Sequence, residues 1–256
     1  MSIRLKTEAD IVKLRQGGIK LARILNKLIE KVEPGLPTKQ LDIWARQWAE
    51  AEGGRPAFLG YKPTGASRPY PAAVCISLNE EIVHGLPTET VITSDDVVTL
   101  DMGLVYENLY TDHAITVCMP DCDNKTKQLV QDTKGALKRG INSAVAGATI
   151  GSIGQSIADF VLPKGYGLIR DLAGHGVGFE VHEGPLVPNY GRAGTGPVLK
   201  PGLVLALEPM ISLGTDQIKL ADDDFTFLTA DGSISAHFEH TIAITEDGPL
   251  ILTAPE

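Results

Sequence analysis

Two aspartates eleven residues apart, Asp101 and Asp112, begin a series of ionisable residues that continues through His175, Glu208 and Glu239, each set within an apolar, strand-like run. An unpaired charge buried in such surroundings costs many kcal/mol, so it must be neutralised or matched by a counter-charge. Four carboxylates gathered in one place therefore call for cations, most simply a pair of divalent metal ions. One imidazole with four carboxylates is an oxygen-dominated donor set. It suits Mn(II), Fe(II), Co(II) or Zn(II) and differs from a thiolate-type structural zinc site. Carboxylates shared between two such ions hold them roughly 3.5–4 Å apart, with a water made nucleophilic at neutral pH.

The elements that position these residues can be read from their flanks. DVVTLDMGLVY (96–106) and LYTDHAITVCM (109–119) are rich in β-branched residues and read as two strands of a hairpin. A turn centred between Tyr106 and Glu107 sets Asp101 opposite Asp112, with Cβ atoms roughly 4.5–5.5 Å apart. Two carboxylates so close do not both stay ionised without a cation between them. Aspartate is common at turns, but Asp101 follows VVTL and Asp112 precedes HAITV, so neither lies in the turn itself.

In GHGVGFEVHEGP (174–185), glycines 174, 176 and 178 let the backbone curl past a ligand, which positions His175 as a nitrogen donor. His182, seven residues on, can reach the same cavity from the other side of the loop. A lone buried histidine is more often an ordinary core residue, whereas two in one glycine-rich turn favour a site. Glu208 in LALEPM and Glu239 in AHFEHTIAIT stand inside strand-like runs, where glutamate is depleted and is seldom buried without a partner. His113, His237 and His240 read as neighbours of ligands or as surface residues, because adjacent strand positions face opposite ways.

Around these runs, Thr7 with Asp10 caps a first helix whose apolar residues recur from Ile11 to Val32, stopped by Pro34-Gly35. A second starts at Thr38, carries Leu41, Trp44, Trp48 and Ala51, and ends at Gly53-Gly54. A third carries Leu129, Leu137, Ile141 and Val145 and runs to Gly147. A fourth opens at Ser152 with Gln155 as its box partner and halts at Pro163. Further strands are expected at 72–78, 165–174, 203–211, 224–230 and 236–245. The pattern predicts one α+β domain over 1–256, built as a pseudo-two-fold repeat of about 7–120 and 124–246, with helices over one face of a mainly antiparallel sheet.

A chain of 256 residues supports a full core. Its net charge of −9, with no run of Lys or Arg, argues against a nucleic-acid partner. Three cysteines, Cys75, Cys118 and Cys122, make an odd count with no paired framework, which suits a reducing compartment. No apolar stretch reaches the roughly 18 residues of a membrane span, and the N-terminus lacks a signal-peptide pattern. A soluble, cytoplasmic protein is expected.

DMGLVYENLYTDHA, GHGVGFEVHEGPLVPNYG, LEPM and FEHTIAIT, with CISLNEEIVHGLP around His84, together resemble the type I methionine aminopeptidases. The resemblance covers almost the whole chain and rests on ordered motifs at five separated places. It implies the pita-bread fold, with helices packed on a curved antiparallel sheet. It also implies a dinuclear metallopeptidase, with two divalent ions of the Co, Mn, Fe, Zn or Ni class, that removes the initiator methionine from nascent polypeptides whose second residue is small. By the same resemblance the enzyme would be a monomer acting on nascent chains at the ribosome, without nucleic-acid or membrane contacts of its own.

Position by position, the resemblance makes Asp101 the chelator of one metal, Asp112 and Glu239 the bridging pair, and His175 and Glu208 the ligands of the other. It makes His182 a donor to the scissile carbonyl, His84 a contact to the substrate amide that assists the leaving nitrogen, and Glu208 a carrier of the proton from the attacking water. It assigns Phe58, Tyr61, Tyr70, Cys75 and Phe225 to the pocket for the methionine side chain. Three departures bear on pocket shape. The segment KPTGASRP after Tyr61 is longer than the family pattern, Val181 replaces an aromatic before His182, and Phe225 stands where tryptophan is usual. The proline-specific relatives of this fold are the alternative enzyme class, and a non-catalytic binding module is the alternative outside enzymology.

Overall fold

The computed structural model describes residues 3–62 and 67–255. Four helices, α1 (Glu8–Ile29), α2 (Thr38–Ala51), α3 (Asn124–Ser143) and α4 (Ile150–Val161), lie on a curled nine-stranded sheet. Across this sheet the strands run Arg55–Pro56, Val97–Tyr106, Leu109–Cys118, Glu239–Thr245, Val204–Leu207, Ala173–Gly176 and Glu183–Pro188. Cys75–Leu78 pairs with Val97–Tyr106, and Gly248–Ile251 with Glu239–Thr245. Two three-stranded sheets complete the α+β fold, and every named strand pair among the described residues is antiparallel.

The main strands are buried on both faces, yet they still sort their side chains with a period of two. Val98, Leu100, Met102 and Leu104 face α1 and α2, joining Leu21, Ile24, Leu25, Leu28, Leu41 and Ala45 in one core. Leu205, Leu207, Ile242 and Ile244 do the same beneath α3 and α4, with Leu129, Leu137, Ile153 and Ile157. Burial of each leucine, isoleucine, valine or methionine among them contributes about 2 kcal/mol. The positions in between, including Asp101 and Glu239, are thereby turned to the opposite face.

The caps explain where the helices begin. Thr7 and Asp10 form a reciprocal capping box, with the Asp10 amide donating to Thr7 Oγ1 at 3.2 Å and the Thr7 amide to the Asp10 carboxylate at 3.0 Å. α1 closes at Ile29, so Val32 falls beyond it, past the turn at Glu30 and Lys31. α4 starts three residues earlier than the Ser152 box predicts. Thr149 is the cap and Ser152 its partner, while Gln155 instead accepts the Ala193 amide at 2.7 Å. The strand Glu183–Pro188 went unpredicted because Gly184-Pro185 reads as a turn, yet it pairs with Ala173–Gly176.

Two glycines in α1 allow close packing of the chain around it. A Cβ on Gly18 would lie 2.2 Å from the Leu252 carbonyl oxygen, which also accepts from Arg15 Nη1 at 2.8 Å. Gly18→Ala should therefore destabilise the fold by about 1–3 kcal/mol through overpacking, although alanine is favoured by roughly 1 kcal/mol in an unconstrained helix interior. Urea unfolding checks this, and a more stable variant would contradict the packing.

Candidate metal centre and active site

The ligand-type residues stand on two neighbouring rungs of the sheet. On one rung, Cys75 pairs with Asp101, Asp101 with Ala114, and Ala114 with Glu239. The pairing of His240 with Leu207, carried one residue further, sets Glu208 beside Glu239. Two residues along, Gly103 pairs with Asp112, and Thr241 pairs with Ala206, which pairs with His175. Because the rungs differ by two residues, all five ligand-type side chains share one face.

The hairpin register differs from the sequence expectation. Asp101 lies opposite Ala114, and Asp112 opposite Gly103, so the two aspartates are diagonal neighbours. The turn is centred between Glu107 and Asn108, both at positive φ (48° and 63°), one residue later than expected. That moves every partner by two positions, which preserves the face and so the convergence.

Asp112, His175 and Glu239 place ligand atoms within 4.8 Å of one another, and all three are buried. His175 Nε2 lies 3.5 Å from Glu208 Oε1, and the Asp101 and Asp112 carboxyls lie against each other. Burial drives Asp101, Glu208 and Glu239 well above the usual carboxylate range, and repulsion from neighbouring carboxyls adds to it. Asp112 is pushed up to about 7, mainly by the same loss of water. Asp101 Oδ1 and Glu239 Oε1 are buried without any hydrogen-bond partner among the described residues. Unsatisfied carboxylate oxygens around converging ligand atoms fit a divalent cation.

Surrounding hydrogen bonds fix the orientation of these groups. His175 Nδ1 bonds the Gly176 carbonyl at 2.9 Å, so Nδ1 carries the proton and Nε2 keeps its lone pair toward the carboxylates. His113 Nδ1 donates to the carbonyl oxygen of Glu239. The Thr241 hydroxyl accepts the Asp112 amide and donates to its carbonyl, at 2.8 and 2.7 Å. Asn189 donates to the Glu208 carbonyl at 3.0 Å.

Above this floor lies a cavity of about 220 Å³. Every residue predicted for the site borders it: Asp101, Asp112, His175, Glu208, Glu239, His84, His182, Phe58, Tyr61, Tyr70, Cys75 and Phe225. Phe58, Tyr70, Cys75 and Phe225 are buried in one apolar cluster with Val181 behind them, and Phe225 meets Tyr70 edge-on at 5.3 Å. Val181 does not line the cavity. The longer segment after Tyr61 falls partly outside the described residues, at 63–66. Its base is pinned, with the Tyr70 amide donating to the Tyr61 carbonyl at 2.8 Å.

The two non-ligand histidines enter from different directions. His84 follows the strand Glu81–Val83 with φ of +62°, a conformation uncommon outside glycine that redirects the chain at the cavity wall. His182 stacks edge-on against His175 with ring centroids 4.3 Å apart, and its Nδ1 lies 2.9 Å from the Tyr61 hydroxyl. Burial lowers both imidazoles to about 4, so both are neutral at pH 7.

Several site residues escaped sequence reasoning. Val83, Leu172, Ala173, Leu186 and Met210 complete the lining. Met210 could have been found, since it lies two residues from Glu208. Leu186 could not, because the strand Glu183–Pro188 is not among the expected strands. His237 is not a surface residue. It is 1% exposed, its Nε2 lies 4.0 Å from Glu208 Oε2, and neither ring nitrogen has a hydrogen-bond partner among the described residues. His113 and His240 face the helices and stack at 4.5 Å.

Raised carboxyl pKa values imply stability that is present at low pH and lost as pH rises through the folded-state value. Above pH 6.5 the histidines are already neutral in the folded state and shed only their last half proton each in the unfolded state, a small opposing contribution, so the raised carboxyls decide the trend. Chelator-treated protein should therefore lose stability between pH 6.5 and 8.5, and a divalent ion should restore it. Urea midpoints at both pH values, with chelator and with Mn(II), test this. Equal midpoints for the chelated protein would remove the electrostatic argument.

A family model for metallopeptidase family M24 matches residues 13–246. The chain is 43% identical over 256 residues to a methionine aminopeptidase of Aquifex aeolicus, covering 99% of each chain. It is 38% identical over 255 residues to one of Clostridium acetobutylicum, covering 99% of this chain and 100% of the other. Among solved structures, the methionine aminopeptidase of Thermotoga maritima superimposes with a TM-score of 0.95 at 40% identity, covering 100% of both chains. Prolidase from Pyrococcus furiosus shares the fold, with a TM-score of 0.77 at 23% identity over 98% of this chain and 66% of that one.

Proposed function

The chain belongs to metallopeptidase family M24, and from that membership we propose that it hydrolytically removes the N-terminal methionine of polypeptides, using two divalent ions held by Asp101, Asp112, His175, Glu208 and Glu239. The observation that carries this reading is the floor of cation-demanding carboxylates directly beneath an apolar pocket of single-side-chain size. Bound divalent ions supply the charge that neutralises the carboxylates and the Lewis acidity that activates water and polarises a carbonyl. Asp112 and Glu239 would hold both ions, Asp101 would serve one of them, and His175 with Glu208 would serve the other. The ion pair is of the Co, Mn, Fe, Zn or Ni class, since this donor set accepts several.

The chain's own groups divide the remaining work. Phe58, Tyr70, Cys75 and Phe225 enclose the methionine side chain, and the lack of charge among them favours an apolar group. With the Tyr61 hydroxyl donating to His182 Nδ1, the proton sits on Nε2, which donates to the carbonyl oxygen as negative charge develops there. His84, neutral at pH 7, contacts the peptide nitrogen and assists its departure. Glu208 takes the proton from the attacking water and returns it to the leaving amine. The substrate partners are N-termini of nascent polypeptides, met by a monomeric chain. No described helix is long and apolar enough to cross a membrane.

Metal-loaded protein should release methionine from Met-Ala peptides much faster than from Met-Leu peptides, with little activity on Xaa-Pro substrates. Preference for Xaa-Pro would place it with the proline-specific relatives, and metal binding without turnover on any of the three would leave a binding module. Asp112→Ala and Glu239→Ala should abolish turnover. His182→Ala should lower kcat by about 10²-fold or more, the scale of a lost oxyanion donor. Wild-type rates in Glu239→Ala would contradict a bridging role.

A further inference from the structure

The loop that delivers His182 spans residues 177–182, between the strands Ala173–Gly176 and Glu183–Pro188. Gly178 has φ of +135°, Val177 bonds Val204 through its amide at 3.2 Å, and His182 itself touches the fold through Tyr61 and His175. The Tyr110 amide also donates to the Gly178 carbonyl at 2.8 Å and the Gly178 amide to the Glu180 carbonyl at 3.2 Å, backbone contacts that hold the first half of the loop rather than its His182 end. What closes on it comes from the other end of the sequence.

Residues 3–6 run beside this loop. Ile3 bridges Gly184 in parallel, and the Lys6 amide donates to the Gly202 carbonyl at 2.7 Å. The Lys6 side chain then passes under the loop, where a Cβ on Gly178 would lie 2.5 Å from Lys6 Cε. Its ammonium donates to Glu183 Oε1 at 2.8 Å and to the Arg4 carbonyl at 3.2 Å, with both charged side chains below 5% exposed. The same Glu183 oxygen accepts the Phe179 amide at 2.8 Å. Arg4 and Lys6 both lie over the Phe179 ring, at 4.8 and 5.0 Å, and Arg4 reaches Glu180 at 3.0 Å. A buried ion pair thus joins the N-terminal segment to both ends of the loop, with one partner next in sequence to His182.

We propose that Lys6 and Glu183 are positioning residues for the reaction, a buried strut that holds the 177–183 loop so that His182 meets the substrate carbonyl. The inference rests on the role given to His182 above. Burying a lysine and a glutamate together is a poor way to gain stability, because apolar residues of the same shape serve as well. The pair earns its place by direction: an ammonium with three donors specifies where Glu183, and with it His182, must sit. A displacement of about 1 Å at such a group costs up to roughly 10²-fold in rate.

The test is a double-mutant cycle with a second readout that does not depend on turnover. Lys6→Met should lower kcat on a Met-Ala peptide by about tenfold or more, leave KM and metal content near those of the parent, and raise amide hydrogen exchange locally across 177–184. In a His182→Ala background the same substitution should change kcat less than twofold, because the strut acts through that imidazole. Lys6→Arg should recover most of the rate. If Lys6→Met does not fold, the double variant Lys6→Met/Glu183→Gln, which leaves no unpaired buried charge, takes its place with the same expected results. An equal fractional loss in both backgrounds, or parental exchange across 177–184, overturns the proposal. A parent protein that releases no methionine would refute the proposed function instead, while the exchange measurement would still decide whether the strut holds the loop.

Discussion

Mutual repulsion among Asp101, Asp112, Glu208 and Glu239 is the constraint on which the rest of this molecule turns. The fold brings these groups onto one face of a sheet, at the floor of a narrow cavity where little water reaches to screen them, while helices seal the other face. Left alone they hold protons and gain nothing. With cations between them, the same crowding becomes a preformed cage whose reorganisation cost is already met by folding. The histidines follow the same logic in reverse. Burial holds His84, His175 and His182 neutral, which is the state in which an imidazole can ligate or present a single directed N–H.

Orientation is settled by groups that never touch a substrate. The Gly176 carbonyl selects the His175 tautomer, the His113 ring tethers the backbone of Glu239, and one Thr241 hydroxyl spans both backbone groups of Asp112. Because the cage sits on rungs of a sheet, each ligand's direction is inherited from strand pairing. The two other histidines at the cavity lie instead where the chain leaves regular structure, His84 at a left-handed residue and His182 in a loop.

Most of this could be read from residues alone, and the exceptions are instructive. Asp101, Asp112, Glu208 and Glu239 stood out because a charged residue in a β-branched run is a conflict that needs a cause. Strand parity protected that reading even where the hairpin turn was misplaced by one residue, since a two-residue shift of partners leaves faces unchanged. The Glu183–Pro188 strand was lost because Gly184-Pro185 carries a turn's chemistry, and with it went Leu186 at the cavity lining. His237 is the neighbour of a ligand-type residue, one of the two places open to it, since it lies beside Glu208, and its parity with Glu239 already set it on the site face. The roles of His84 and the pocket aromatics had no local signature. They depend on which distant segments fold against each other, which only family likeness or coordinates reveal.

The place of the strand Glu239–Thr245 in the sheet has a kinetic side. It inserts between Leu109–Cys118 and Val204–Leu207, joining segments that precede it by more than a hundred and by about thirty residues. During synthesis the first hairpin, with Asp101 and Asp112 already in register, waits with an open β edge until this late segment emerges. Long-range pairing of this kind is slow to form. A newly made chain therefore passes through a stage that is half folded, edge-exposed and short of two of its carboxylates, and it becomes able to process other nascent chains only after the strand that starts at Glu239 has been made.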